Sequence, residues 1–447
     1  MFILLLIWAL IGIAIAWLVA KKGGGSAGLP LAYFLGLSLI HTPGALLYLD
    51  DDDFSLMASV TRVGFNETII GMVAFLVGVI IAGYAFEPHP ARQAADTSVR
   101  DSDLGRLSAL NRLAVAYLCT GCVAFFVVMP IVAGIGTITA VIASLGSLII
   151  IGVCLQNWVA TKTGKRSWFA IILVPLMPLA TLLQGGFIGF GTFWALAILA
   201  FLFSQSKRRA IYVFATPIFL FAGISLFVNY MAARGEIREL VWYEQAGLSA
   251  KLERVAGVFR NFEWLDLSNS HHHDAIDKRL NQNHLVGAAV ERLESGQVEY
   301  AFGSSVGKMV LALIPRLVWP DKPQVGGGGS IVRDFTGIEF GDNTSVGAGQ
   351  VLEFYVNFGT WGVIGGFLLY GYLIGRMDLL VMRYLRQGDQ RRFLFWFMIC
   401  LSLLDAGGNL LAIVTTAASS AITAYGIGLF LQRRRDVGSL SRVPINH

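Results

Sequence analysis

Everything about the topology turns on whether Ser304-Ser-Val-Gly-Lys-Met-Val-Leu-Ala-Leu-Ile-Pro-Arg-Leu-Val-Trp319, continued by Pro320-Asp-Lys-Pro323, crosses a membrane. As a helix its apolar part covers only about 24 Å, short of the roughly 30 Å of hydrocarbon in a bilayer. Pro315 also removes a helical hydrogen bond. Counting it as a span would put the basic run Arg376 to Arg392 on the opposite side from every other basic cluster. The stretch is therefore predicted to be a re-entrant or interfacial helix, with Trp319 at headgroup depth.

Working outward, the chain is greasy throughout. Of its 447 residues 55% are hydrophobic and 14% are charged, and its mean hydropathy is +0.65, whereas a soluble domain carries about 25% charge. Apolar runs near 2 to 20, 28 to 49, 68 to 86, 113 to 133, 138 to 158, 168 to 184, 187 to 205, 211 to 231, 350 to 375, 393 to 410 and 412 to 431 predict eleven spans. The expected fold is thus an all-α polytopic membrane protein. Basic clusters at Lys21–Lys22, Arg92 to Arg112, Lys162 to Arg166, Lys207 to Arg209, Arg376 to Arg392 and Arg433 to Arg435 fall on one side if the spans alternate. The positive-inside rule makes that side the cytoplasm and places the amino terminus and Asp50 to Asp53 outside. The first span lacks the charged start and cleavage site of a removable signal and is expected to stay.

Three segments follow: residues 1–231 with eight spans, a long outer loop over 232–349, and 350–447 with three spans and a cytoplasmic tail. Within the loop, Ile276 to Ser295 predicts one helix whose stripe holds Ile276, Leu280, Asn283, Gly287 and Val290, with Arg279 on the same side. Gly326 to Gly329 and Gly337 to Gly349 read as flexible connections. Cys119, Cys122, Cys154 and Cys400 all lie in apolar runs, which points to packing rather than a disulfide or a metal. The net charge of +5 is distributed by membrane topology and gives no indication of nucleic acid.

Candidate chemistry concentrates in the outer loop. Arg279, on an apolar stripe, needs a carboxylate, phosphate or backbone partner; either a structural ion pair or a ligand satisfies it. Arg316 and Lys322 are bracketed by Pro315, Pro320 and Pro323, a rigid arrangement suited to gripping a diphosphate, or else they snorkel to headgroups. Arg333 either completes a cationic set or is solvated, as a lone loop arginine usually is. Glu353 enters the ninth span four residues before Asn357 and suits a general base, or a structural pairing with Arg316 or Arg333. His284 borders the Arg279 helix and can donate to phosphate or take a proton. His271 to His273 cannot all address one ion from a regular element, so no metal site is expected. Asp405 and Asn409 either line the same cavity or cap helices.

Tyr300-Ala-Phe-Gly, Ile314-Pro-Arg-Leu-Val-Trp-Pro-Asp-Lys-Pro and Glu353-Phe-Tyr-Val-Asn-Phe-Gly, in this order and spacing, resemble the Wzy-type O-antigen polymerases, or oligosaccharide repeat-unit polymerases. The resemblance covers about 279 to 359. It departs from the related pattern at Leu183-Gln-Gly-Gly-Phe187, where no middle-span arginine occurs unless Arg234 or Arg238 replaces it. It implies a GT-C-like glycosyltransferase in the bacterial inner membrane that acts without cofactor or metal at the periplasmic face. Its substrates would be undecaprenyl-diphosphate-linked oligosaccharides, with membrane lipids as surroundings and a chain-length regulator as a further candidate partner. Transfer of the growing glycan to a sugar hydroxyl of a new lipid-linked repeat unit would invert the anomeric centre. In that scheme Arg279, Arg316, Lys322 and Arg333 hold the diphosphate, His284 assists and Glu353 takes the acceptor proton. An O-antigen ligase-like transferase and a lipid-linked oligosaccharide transporter are the competing readings.

Overall fold

The computed structural model describes residues 1–49, 55–84, 101–132, 136–164, 168–185, 188–239, 262–314, 319, 327–340 and 346–440, with a few positions between 253 and 260. Every regular element among them is helical. In chain order these are α1 (Phe2–Lys22), α2 (Leu29–Leu47), α3 (Leu56–Val79), α4 (Asp101–Val123), α5 (Gly136–Gly146), α6 (Leu148–Lys162), α7 (Trp168–Gly185), α8 (Gly189–Gln205) and α9 (Arg209–Arg238). Four short helices follow, α10 (Ser270–Arg279), α11 (Gln282–Glu294), α12 (Ser304–Ala312) and α13 (Gly328–Thr336), and then α14 (Gly349–Gln387), α15 (Gln390–Leu403) and α16 (Leu410–Leu440). Among the described residues, eight helical stretches are long and apolar enough to cross a bilayer. The apolar runs at α7, α8 and α15 form shorter helices. This is a multi-pass membrane protein, and large apolar side chains such as Leu10, Ile13 and Trp17 on α1 or Phe214 and Ile218 on α9 face outward, as lipid contact allows.

Several basic clusters gather at one end of the bundle. The Arg386 guanidinium lies beside Gly24, just past Lys21 and Lys22, and Arg106 donates from Nη2 to the Arg386 carbonyl at 2.7 Å. Arg391 bonds Gln432 at 3.1 Å. Alternating spans would bring these segments together in this way.

The central contact is between α3 and α14. Gly64, Gly71 and Gly78 recur every seven residues along α3, and a Cβ at Gly64 or Gly78 would strike backbone of Asn283 or Leu368. Gly287 of α11 and Gly371 of α14 answer from the other side, against Val60 and Phe75. Without apolar solvation to drive helix association inside lipid, such close backbone approach supplies the packing. Gly64 and Gly287 also bring α11, an outer-loop helix, down onto the end of α3.

Four expectations from the sequence are corrected. The helix expected over Ile276 to Ser295 is two, broken at Leu280 and Asn281. There Asn281 Nδ2 donates to Thr61 Oγ1 at 3.0 Å and Asp277 Oδ1 at 2.8 Å, bonds a continuous helix would not direct. Arg279 therefore ends α10 and does not share the Val286 and Val290 stripe. The glycine run continues into helix α13 from Gly328, because Val332 and Thr336 have a core to enter. The proposed re-entrant helix closes after nine residues as α12.

The fourth correction concerns the ninth span. α14 breaks at Phe358 and Gly359, where Gly359 has φ 61 and ψ −153, a backbone position that favours glycine. Before the break, Gly349 to Asn357 doubles back beside the span it precedes. Phe354 stacks edge-on to Phe367 at 5.5 Å, and a Cβ on Gly366 would strike the Phe354 ring. Gln350 accepts from Tyr33, at 2.9 Å, whose ring in turn meets Tyr370. The half-helix thus starts about 15 Å below the break, inserted in the bundle.

Candidate functional site

The inserted half-helix carries Glu353, which is 1% exposed. A carboxylate placed there needs partners, since an unsatisfied polar group in such surroundings costs several kcal/mol, on the order of 2–7. Leu410 N, at the start of α16, donates to Glu353 Oε2 at 2.6 Å, and the Ser305 hydroxyl of α12 donates as well. The same half-helix is pinned by Gln350 Nε2, which donates to the carbonyls of Asp405 and Gly408 at 2.7 Å each. At its outer end Asn357 accepts from Gly303 N at 2.9 Å and donates to Ser305 Oγ at 2.8 Å. Half-helix, α12 and the turn before α16 are therefore one hydrogen-bonded unit.

Above Glu353 a cleft opens between α12, α13 and the start of α16. Its polar lining includes Ser304, Ser305 and Lys308 of α12, Ser330 and Asp334 of α13, and Asn409; Phe335 and Val356 supply apolar wall. Asn409 is 6% exposed. Its Oδ1 caps α16 by accepting from Ala412 N at 3.2 Å, while its buried Nδ2 has no partner. Both roles that the sequence left open for Asn409, cap and cavity lining, are realised together. Lys308 was missed, although a lysine within an otherwise apolar stretch was the signal that marked it.

The predicted site residues divide. Glu353 lies in the cleft. Arg333 sits on α13, one of the helices that form the cleft wall, with its side chain exposed and 3.4 Å from Asp334. Arg279, half-buried at the end of α10, and His284, on the first turn of α11, are not among the lining residues. Burial holds the His284 imidazole below its ordinary pKa, opposed by nearby Asp277, so it is neutral at pH 7 and its phosphate contact would be that of a neutral donor. Arg316 and Lys322 lie outside the described residues, as do Asp50 to Asp53.

On the opposite flank of the half-helix, Tyr355 donates to Glu294 Oε1 at 3.1 Å. Just past the break, Thr360 donates to Glu67 Oε1 of α3 at 2.9 Å. Glu67 Oε2 is buried without a partner.

The three adjacent histidines face different ways. His272 accepts from Asp266 N at 3.2 Å, His273 meets the Tyr48 ring edge-on at 6.0 Å, and His271 is exposed. Among the described residues no group of His, Cys, Asp or Glu has the arrangement of a metal site.

The family described as "Domain of unknown function (DUF8712)" matches residues 107–380, more than half of the chain, and the chain belongs to that family. The matched region includes α12, α13 and the Glu353 half-helix, and it stops before Asn409. No curated protein and no solved structure matches the chain.

Proposed function

We propose that this member of the DUF8712 family is a membrane glycosyltransferase that extends a polysaccharide, moving a growing glycan from undecaprenyl diphosphate to a sugar hydroxyl of a new lipid-linked repeat unit. The observation that carries the reading is Glu353: a buried carboxylate on an inserted half-helix, opening into a polar cleft away from the basic end of the bundle. The motif resemblance supplies the substrate class. In this reading the eleven apolar helices all serve as crossings of a GT-C-like plan in the inner membrane, and the cleft end faces the periplasm.

The acceptor hydroxyl oxygen attacks the anomeric carbon of the donor, the bond from that carbon to the phosphate oxygen breaks, and its electron pair leaves with the lipid diphosphate. The acceptor proton passes to Glu353. Leu410 N and the Ser305 hydroxyl fix the carboxylate, so little reorganisation is required at the moment of attack. Arg316, Lys322, Arg333 and Arg279 are assigned to the diphosphate, whose growing charge preorganised cations stabilise without a metal ion.

The test is the length distribution of lipid-linked glycan made by the full chain in membranes. Arg316→Ala is expected to abolish long products while leaving insertion and abundance unchanged; wild-type ladders from that variant reject the assignment. Finished glycan moved en bloc onto a different acceptor, with no lengthening, would indicate ligase activity.

A second reading has its own observation. The break at Phe358 and Gly359, with Glu67 beside it, resembles the broken helices and facing carboxylates of transporters. Movement of labelled lipid-linked sugar across vesicles without a new glycosidic bond would favour it over transfer.

A further inference from the structure

The charges and donors of the cleft discriminate between the parts of such a substrate. Among its described lining residues Lys308 is the single cation, against the carboxylates of Glu353 and Asp334. Arg333 lies 3.4 Å from Asp334 on the exposed side of the same helix and offsets one of these. A diphosphate carries two or more negative charges and would share the space with Glu353, which like-charge repulsion disfavours. A neutral ligand rich in hydroxyls meets no such penalty. It can accept from Lys308 and from Asn409 Nδ2, donate to Glu353 and Asp334, and exchange hydrogen bonds with Ser304, Ser305 and Ser330. Phe335 and Val356 offer apolar wall to the C–H face of a ring.

Asn409 gives the second, independent sign. A buried amide N–H without a partner costs about 1–3 kcal/mol, and here it is a side chain 6% exposed whose other atom is already committed to capping α16. A ligand hydroxyl beside Glu353 would satisfy it.

We propose that this cleft is the subsite for the acceptor sugar ring, with Asn409 Nδ2 and Lys308 holding a ring hydroxyl against Glu353, and that the diphosphate binds outside it. The proposal rests on the glycosyltransferase reading for its substrate, but not for its test. Saturation-transfer NMR on the full chain in detergent would use methyl glycosides of glucose, galactose, mannose, rhamnose and N-acetylglucosamine as probes, with inorganic pyrophosphate as competitor. At least one glycoside is expected to receive saturation, to keep it when pyrophosphate is added, and to lose it at least about fivefold in Asn409→Ser. Serine keeps a cap for α16 and replaces the amide N–H by a shorter hydroxyl; Asn409→Asp keeps the cap oxygen and length and removes the donor. Lys308→Met is expected to weaken the same signal. In the transfer assay these variants should raise the KM for acceptor more than they lower kcat.

Displacement of the glycosides by pyrophosphate, an unchanged signal in both Asn409 variants, or no saturation of any probe would overturn the subsite. Glycoside binding that depends on Asn409, in a protein that makes no glycosidic bond, would instead keep the subsite and sink the transferase reading. Polymer synthesis indifferent to Asn409 would do the reverse.

Discussion

Asp378, near the basic end of the bundle, and Glu353, in the cleft, are buried carboxylates that do the same structural job and differ in what is left over. Each accepts from backbone N–H groups at the start of a helix, where unpaired donors and the helix dipole favour an anion. Asp378 Oδ1 takes Ala27 N at 3.0 Å and Leu29 N at 2.8 Å ahead of α2, and its Oδ2 takes the Tyr84 hydroxyl. It is sealed, and Ser26, Tyr84 and Ser204 close the surrounding network. Glu353 takes Leu410 N ahead of α16, but its surroundings stay open to a cleft with Lys308 and the unpartnered Asn409 Nδ2. Burial of a charge inside a membrane protein therefore does not by itself distinguish a site; what sets Glu353 apart from Asp378 is an unsatisfied donor in the cleft it lines.

That contrast is open to attack at several points. The largest effect is expected from Glu353→Gln. The amide oxygen can still accept from Leu410 N, so folding should survive, while glycan transfer should fall about 100-fold or more, as loss of a general base does. Radiolabelled product from purified protein measures this, and activity within a few-fold of wild type would place Glu353 in the same structural class as Asp378.

Asp378→Leu should show the opposite pattern. Orphaning the Ala27 and Leu29 N–H groups, with Tyr84 left to Ser26 alone, is expected to cost about 3 kcal/mol or more, read as a drop in thermal midpoint and in folded yield. Transfer per folded molecule should change little.

Gly371→Leu attacks the seam both ends depend on. A side chain there meets the Phe75 backbone, and overpacking costs typically 1–3 kcal/mol. Both stability and transfer should fall together, unlike either carboxylate variant; normal thermal midpoints would show that α3 and α14 do not touch through these glycines.

His284 gives the smallest effect. Its folded-state pKa lies below the ordinary 6.5 because burial disfavours the imidazolium, so the unfolded chain binds more protons at acidic pH. The neutral-form contribution is present above 6.5 and lost as pH falls below it. A modest decline in thermal midpoint from pH 7 towards pH 5 should be shallower in His284→Gln; identical slopes would remove this residue from the account.

Much of this architecture was readable residue by residue. The apolar runs fell on helices because the cost of placing charge or bare backbone in hydrocarbon is paid locally. Several of the basic clusters, those of Lys21–Lys22, Arg106 and Arg386, share an end. Glu353 stood out as an acid near an apolar run, and Asn409 as a polar residue near the outer end of the tenth apolar run. The seven-residue recurrence of Gly64, Gly71 and Gly78 was present too, and would have predicted the close crossing of α3 had it been read as a packing seam. The break after Arg279 was not legible, since Asn281 is turned by Thr61 of α3, far away in the chain.

Composition and hydropathy fixed a helical, many-times-crossing membrane protein, since solvation by lipid or water acts on each short segment independently. Tertiary structure alone decided that Gly349 to Asn357 folds back into the bundle at the Phe358–Gly359 break, that Asp378 is closed off, and that Glu353 shares a cleft with Asn409, whose Nδ2 has no partner. Those outcomes depend on partners such as Leu410 for Glu353 and Leu29 for Asp378, and the sequence carries no local trace of a hydrogen bond whose two halves are brought together only by folding.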